Sequence, residues 1–553
     1  MPDVEVAPPV LPMPLPPPLD AARTVADLVT AVAARTPDRT ALVDGERRID
    51  WRVLDRQVEV AAAGLRSRGV RAGDRVAVQL PSTLEFVQIY LAGLRAGATV
   101  VPINPTYTRP ELERVLAESR ATVLVTASVA ALAGAEELLA AGTGLTTVVA
   151  VLPPSSADTP PDATISLIAL TEAALTDAAP TAPAGDDAAG PQPEDIGVLL
   201  FTSGTGGRPK GAMLSHRALL ANLAQSRAVV PAPIGPDDVV LVATPLFHIY
   251  GLNAGLGAAW AAEARVVLLD RFDVETSLRI IAAEGVTVLL GAPAMFAAWA
   301  ASPNLAEAVS GVRFAVSGSA PLPASLVARF AEVGVPLHEG YGLTEAAPAV
   351  ASNAVRADGS SRLGEPKPGS VGAPLPGVEV GLRDADGDAV EADDAGLVTV
   401  RGANLFSGYW PDGAGGPDSN GWFVTGDLAY ADDDGDLFLV GRDSEMVLVN
   451  GFNVYPGEVE AVLAGIDGVA DVAVLGVPDA ATGEAVLAFV VPEPGAVLDP
   501  QQILTSAARS LARFKWPQRV EVVDALPHTV TGKVQKWQLR ADANADARGA
   551  GAA

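Results

Sequence analysis

The sequence predicts an α/β protein: parallel sheets with helices packed on them, then a small β-barrel-like stretch, then a compact α+β unit. Three observations predict it. Short apolar runs alternate with amphipathic helical patterns through most of the chain. From Gly364 to Arg401 the texture changes to short β-prone pieces separated by Gly, Pro and Asp. At 553 residues the chain exceeds a single core, and a prior of about 150 residues per domain gives three or four units.

The elements follow in order. A helical pattern from Thr24 leads to a strand at Ala41–Asp44 and a turn at Asp44–Gly45, then a helix near Trp51–Arg68. Strand Arg75–Leu80, helix Leu84–Arg95, strand Thr99–Ile103, helix Arg109–Ser119 and strand Thr122–Thr126 come next. This alternation is the signature of parallel β-α-β units. Leu152–Asp195, rich in Pro, Ala, Asp and Thr around one apolar stretch, Ile165–Leu175, reads as a surface excursion. Further strands are expected at Ile196–Phe201, Val239–Ala243, Arg265–Leu269, Thr287–Leu290, Arg313–Val316 and Leu337–Gly340. The expected organisation is a Pro-rich tail over 1–20, a large N-terminal domain over 21–442, a smaller C-terminal domain over 443–541 and a disordered tail over 542–553.

Composition narrows the function. The net charge of −28, with no basic patch to offset it, argues against nucleic acid and anionic membrane as partners. The absence of cysteine excludes disulfides, thiolate metal sites and a Cys nucleophile. No run is long and uncharged enough to span a bilayer, and the start lacks the basic region of a signal peptide. A soluble cytoplasmic protein is the simplest expectation. Among 38 basic residues only Lys210, Lys367, Lys515, Lys533 and Lys536 are lysines, and a retained lysine marks a candidate place for a compact, flexible point charge.

The chemistry begins at Leu199–His216, LLFTSGTGGRPKGAMLSH. A buried strand empties into Thr202, Ser203, Gly204, Thr205, Gly206 and Gly207, with Lys210 three residues on and helical sequence resuming near His216. Small residues let consecutive backbone N–H groups turn toward one point, the hydroxyls add donors, and the lysine adds charge. The run reads as a loop for nucleotide phosphates, against the plainer alternative of a Gly-Ser-Thr surface loop with no ligand. It is not a Walker A loop, which needs Gly before the Lys and Ser or Thr after it; here Pro209 and Gly211 stand there.

Further motifs follow. Glu339 precedes Gly340-Tyr341-Gly342-Leu343-Thr344-Glu345 at a strand exit, where open α/β sheets hold ligands. Tyr341 offers a flat face for adenine, Thr344 an alcohol for the α-phosphate, and Glu345 a hard oxygen for Mg²⁺. Asp427 in TGDL and the later Arg442 suit the two sides of a ribose. PLFHIYG carries His248; a lone histidine is more often structural than catalytic, although all four histidines lie in or beside motifs.

Together these motifs, in order from about Thr24 to Arg540, resemble the adenylate-forming (ANL) superfamily, which includes acyl-CoA synthetases, firefly-type luciferases and peptide-synthetase adenylation domains. The resemblance implies that Thr202, Ser203, Gly204, Thr205, Gly206 and Lys210 guide the β- and γ-phosphates of ATP. It places Gly318, Ser319 and Ala320 along the adenine face, with Glu339, Gly340, Tyr341, Gly342 and Thr344 around the nucleotide. It gives Asp427 and Arg442 to the ribose and Mg²⁺ to Glu345. His248 would gate a thiol tunnel, Gly451 and Phe452 would close over it, and Lys533 of Thr531-Gly532-Lys533 would reach the adenylation site. Lys536 reads as a solvated helix face. The C-terminal domain would be mobile about a hinge at Ser444, where the family usually has Asp or Lys.

PLFHIYGLNAGLGAAW holds no Asp to grip an ammonium group, and a buried ammonium without a carboxylate is costly, so an amino acid is disfavoured as substrate. The expected activity is ATP-dependent activation of an apolar, fatty-type carboxylic acid to acyl-AMP, then transfer to the thiol of CoA. A phosphopantetheine carrier protein is the alternative acceptor, and a luciferase-type oxygenase a distant third. A catalytically dead nucleotide-binding protein is disfavoured, because Glu345, Asp427, Arg442 and Lys533 are all present.

Overall fold

The computed structural model describes residues 19, 22–151, 164–167, 190–202, 209–384, 386–390, 394–450, 452–479, 482–529, 533–536 and 538–540. The chain divides into two compact units, Met1–Glu379 with Arg401–Phe423, and Val380–Val400 with Val424–Ala553.

Local sequence sets the helices. Thr24 and Asp27 form a capping box on Val25–Arg35, and Thr108 and Glu111 do the same on Arg109–Ser119, satisfying backbone donors that a helix start leaves orphaned. Asp50, Ser215 and Asp273 each cap a helix by accepting a backbone N–H. Gly285 ends Val274–Glu284 in the left-handed region at φ 61°, where glycine carries no Cβ penalty.

Two sheets build the first unit. A seven-stranded sheet runs Ile165–Ser166, Thr147–Ala150, Val123–Thr126, Arg75–Gln79, Thr99–Pro102, Ile196–Thr202, Lys210–Ser215. A nine-stranded sheet runs Ala373–Pro374, Ala349–Ser352, Leu337–Gly342, Phe314–Ser317, Val288–Gly291, Val239–Val242, Arg265–Leu268, Thr40–Asp44, Arg47–Asp50. The central strands are parallel and short, and most are buried on both faces, which explains why they read as unbroken apolar runs. At the N-terminal ends of three of them, Asp238 accepts Thr287 Oγ1 at 2.7 Å and Arg313 Nε at 2.8 Å. The polar pairing at that edge leaves the opposite, C-terminal edge to carry the motifs.

Two expectations are refined here. The glycine-rich loop does not lead from a strand into a helix. It joins antiparallel strands Ile196–Thr202 and Lys210–Ser215, with Thr202 opposite Lys210, and the helix His216–Arg227 begins only after the second strand. Gly211, Ala212 and Met213 alternate too little in polarity to announce that strand. The β-prone stretch splits: Ala373–Pro374 joins the nine-stranded sheet, while Val378–Arg383, Gly396–Gly402, Trp422–Ala431 and Leu437–Arg442 form a four-stranded sheet in that order. Four strands are too few to close on themselves as a barrel.

The last sheet orders Phe452–Val454, Val447–Val449, Gly483–Pro492 and Val469–Asp479, with Arg519–Val522 parallel to Gly483–Pro492. Helices Pro456–Ala464 and Pro500–Ser510 cover its core of Val447, Val459, Leu463, Val474, Val486 and Ile503. Among the described residues no helix is long and apolar enough to cross a membrane.

His216 is fully enclosed where the hairpin meets its helix, and a Cβ on Gly197 would stand 2.8 Å from its Nδ1. Burial pushes its pKa down to about 4, against the opposing pull of Asp195 and Asp27. A lowered folded-state value means that this stability is complete above the unfolded value of about 6.5 and is lost as pH falls toward 4. We expect urea unfolding at a series of pH values to show that loss. In His216→Gln the drop between pH 7 and pH 4 should shrink by on the order of 3 kcal/mol; an unchanged drop would assign it to other groups.

Candidate functional site

Most of the expected nucleotide residues of the first unit lie at or beyond strand ends. Lys210 opens the second strand of the hairpin, its Nζ 4.9 Å from the ring centroid of Tyr409. The Tyr409 hydroxyl in turn donates to Glu345 Oε1 at 2.6 Å. One chain of contacts therefore runs from the lysine expected to meet the phosphates to the carboxylate expected to hold Mg²⁺. Ser203, Gly204, Thr205, Gly206 and Gly207 lie outside the described residues, as do Gly451, Thr531 and Gly532.

Glu345 and Thr344 occupy a single 3₁₀ turn, Thr344–Ala346, just past the strand Leu337–Gly342. Buried amides hold that turn. Asn404 Nδ2 donates to Ala346 O at 2.8 Å, Asn253 Nδ2 to Ala347 O at 2.7 Å, and Asn222 pairs with both backbone groups of Ala349. Gly342 is needed for close approach: a Cβ there would lie 2.3 Å from Pro348 O. Tyr341 is nearly buried, at 7% exposed.

The expected adenine face, Gly318, Ser319 and Ala320, follows the neighbouring strand Phe314–Ser317. Ser319 sits at φ 76°, in the left-handed region a non-glycine residue seldom occupies. Glu339 reaches across from the next strand to accept Leu322 N–H at 3.0 Å. Burial raises its carboxyl to about 7, opposed by that N–H. Tyr250 supports the same loop from below, its hydroxyl donating to Val316 O at 3.0 Å and its ring where a side chain on Gly318 would be.

His248 precedes Tyr250 by two residues and accepts its backbone N–H at Nδ1, 3.3 Å away. The segment continues as a π-helix, Tyr250–Gly257, a wide turn that is rare and tends to occur at functional sites. The other first-unit histidines are structural: His216 is buried as described, and both ring nitrogens of His338 lie 3.0 Å from oxygens of Asn353 and Leu363.

The second unit holds the remaining expected residues. Asp427 and Arg442 are direct cross-strand partners, with Arg442 Nε 2.9 Å from Asp427 Oδ1. Ser444 is exposed in the 3₁₀ turn Asp443–Glu445. Phe452 is exposed and stacks on Phe514 with centroids 5.0 Å apart. Lys533 is exposed on a tight turn: Thr529 N donates to Lys533 O at 2.8 Å, and Lys533 N to Thr529 Oγ1 at 3.1 Å. Just before the turn, His528 Nε2 meets Asp471 Oδ2 at 3.2 Å.

Lys536 overturns the expectation of a solvated face. Its ammonium lies 2.8 Å from Glu460 Oε1 and 3.0 Å from Glu445 Oε2. Burial works against its charge, but the two carboxylates outweigh it and hold the pKa above the usual lysine value. The helical spacing of a short polar segment did not reveal partners so distant in sequence. Tyr409, Tyr250 and the amides of Asn222, Asn253 and Asn404 were missed for the same reason; the GYW run around Tyr409 was the one local signal.

Residues 29–410 match the family model of the AMP-binding enzyme, and residues 458–533 that of the AMP-binding enzyme C-terminal domain. The chain is 35% identical over 516 residues to a feruloyl-CoA synthase of Amycolatopsis sp, covering 92% of this chain and 96% of the relative. It is 32% identical over 544 residues to a long-chain-fatty-acid–CoA ligase of Bacillus subtilis, covering 94% of each. Among solved structures it is similar to ATP-bound MatB from Rhodopseudomonas palustris, with a TM-score of 0.81, 33% identity and coverage of 94% of this chain and 98% of that one.

Removing one partner of a buried ion pair leaves an uncompensated charge. Lys536→Met should therefore destabilise the second unit by about 3–5 kcal/mol in chemical denaturation. Adding Glu445→Gln to that variant should restore part of the loss. A single variant as stable as the parent would show the triad to be inert.

Proposed function

Because the chain belongs to the AMP-binding enzyme family and is an acid–CoA ligase of the adenylate-forming type, we propose that it activates an apolar, fatty-type carboxylic acid with ATP and hands the acyl group to CoA. The observation that carries this reading is the line of contacts from Lys210 through Tyr409 to Glu345. It joins the glycine-rich hairpin to the turn after Tyr341, as a site gripping a polyphosphate and its counter-ion requires.

The chemistry follows from charge. A carboxylate is ionised at neutral pH and needs no base, but it has to approach a polyanion, so catalysis is mostly positioning and neutralisation. Thr202, the loop to Gly206 and Lys210 hold the β- and γ-phosphates, and Thr344 contacts the α-phosphate. Gly318, Ser319, Ala320, Glu339, Gly340, Tyr341 and Gly342 frame the adenine, while Asp427 and Arg442 take the ribose. Lys533 bridges the substrate carboxylate and the α-phosphate as pyrophosphate leaves in line.

Glu345 suits Mg²⁺, since that ion is usually held by one or two carboxylates together with substrate phosphates and waters. A partly buried carboxylate on a short turn at a strand end is such a donor. Bound there, the ion would neutralise phosphate charge. In the second step the C-terminal domain, from 443 onward, turns about Ser444. Lys533 withdraws, and a thiol passing His248, Gly451 and Phe452 attacks the acyl-adenylate and releases AMP.

An apolar acid is favoured because Ala, Gly and Leu dominate Leu252–Ala262 and Gly291–Ala300, the segments beside His248 and after the strand Val288–Gly291. An aromatic acid is a second reading, favoured by the likeness to a feruloyl-CoA synthase. CoA is favoured over a carrier protein because the relatives carry CoA in their names.

Mass spectrometry of products from fatty and aromatic acids with Mg-ATP, with and without CoA, tests the reading. A CoA-dependent acyl-CoA from fatty acids is expected. Acyl-AMP that accumulates and ignores CoA would point to a carrier protein, and turnover of aromatic acids alone to the second reading. Lys533→Ala should lower adenylation at least about a hundredfold, the scale of a lost transition-state contact, yet spare thioester formation from supplied acyl-AMP. Equal loss of both steps would remove Lys533 from that role.

A further inference from the structure

Tyr409 lies in neither of the motifs it joins, yet it touches a charged residue of each. Its hydroxyl donates to Glu345 Oε1 at 2.6 Å, and its ring lies under the Lys210 ammonium, 4.9 Å from the centroid. A phenol donating to a carboxylate oxygen fixes the plane of that carboxylate. An aromatic face beneath an ammonium favours one position of an otherwise flexible cation. One side chain thus addresses an anion and a cation through two separate parts of its structure.

The tyrosine is itself held firmly. Ser407 N donates to Met213 O, Met213 N to Gly408 O and Trp410 N to Gly211 O, so the segment runs as an extra edge along the hairpin strand that begins at Lys210. Phe406 N donates to Glu345 O at 2.8 Å, fastening the backbone of the same glutamate. Trp410 Nε1 donates to Glu118 O at 2.9 Å, and the guanidinium groups of Arg75 and Arg120 lie 5.7 and 5.6 Å from its ring centroid. The Tyr409 backbone and the Glu345 backbone are thus both tied to this edge.

We infer that Tyr409 is a positioning residue of the nucleotide site, orienting the Glu345 carboxylate for a Mg²⁺·phosphate complex through its hydroxyl and seating Lys210 through its ring. The inference rests on the reading of Glu345 as the carboxylate that meets Mg²⁺. The two functions of the side chain are separable: Tyr409→Phe removes only the hydroxyl, and Tyr409→Leu removes the aromatic face as well.

The test is calorimetric titration of ATP into the full-length protein, with excess MgCl₂ and separately with EDTA, alongside the apo melting temperature. In the parent, Mg²⁺ should strengthen ATP binding. In Tyr409→Phe about five- to tenfold of that gain should disappear, as for a lost charge-assisted hydrogen bond, with binding in EDTA and the melting temperature unchanged. Tyr409→Leu should in addition weaken binding in EDTA by about two- to fivefold, the scale of one cation–π contact. In a Glu345→Gln background, Tyr409→Phe should have no further effect on the Mg²⁺ gain. If Glu345→Gln abolishes the gain and Tyr409→Phe leaves it whole, the inference fails and the metal reading stands, whatever happens to the melting temperature. If Glu345→Gln itself keeps the gain, the metal reading fails and the inference with it.

Discussion

Four buried amide side chains hold together the part of the first unit on which everything else is arranged. Asn222 and Gln225 come from the helix after the glycine-rich hairpin, Asn253 from the π-helix after His248, and Asn404 from the strand-to-loop exit before Tyr409. Gln225 Nε2 donates to Asn404 Oδ1 at 3.1 Å, and the others bond the backbone of residues 346, 347 and 349. Buried amides without partners would each be costly, and in this set Asn253 Oδ1 alone is left without one, so the bonds that the four amides make specify one arrangement of the elements that supply them. The turn carrying Thr344 and Glu345 is thereby fixed relative to both the hairpin and the π-helix. Those three pieces come from widely separated parts of the chain.

The architecture also accounts for where charge is placed. The glycine-rich segment that we propose for the phosphates connects two antiparallel strands, and the next helix begins only at His216, so the strand-to-helix connection on which a P-loop relies is not present at this point of the chain. A discrete cation must take a larger share, and Lys210 stands at the start of the second strand, opposite Thr202. The scarcity of lysine in the sequence acquires a partial physical reason in this light. Lys210 lies over an aromatic ring, Lys515 Nζ bonds both oxygens of Glu458 at 2.6 and 2.7 Å, and Lys536 serves two glutamates. Each uses a compact charge on a flexible stem.

Much of this was legible in the sequence, and the parts that were not share a cause. Helices Leu84–Arg95 and Arg109–Ser119 were placed to the residue, because capping residues and apolar spacing are local signals. The fold class followed from the alternation of such elements. Asp427 and Arg442 were read as the two sides of a ribose; that they are also direct cross-strand partners was not read, because it depends on the register of two strands joined by an acidic turn. The strand Lys210–Ser215 was missed because every residue after Lys210 is buried, with no period-two pattern to read. Lys536 was misjudged, and Tyr409 passed over, because their partners lie 91 and 64 residues away in sequence. Spacing rules see along an element; they do not see across a fold.

The loop after Phe314–Ser317 shows what such over-determination does. Ser319 keeps a left-handed backbone that costs an L-residue about 1–2 kcal/mol. It does so because its neighbours leave no alternative: Gly318 lies against the Tyr250 ring, and Leu322 is tied to Glu339. The strain is therefore settled during folding, before any ligand arrives. A base docking where we propose the adenine face would meet a surface whose shape is already set, with little disorder to remove. Its affinity is then governed by the contacts it makes, with a small entropic penalty, and a change that slackened the loop would appear as weaker association even with every contacting atom intact.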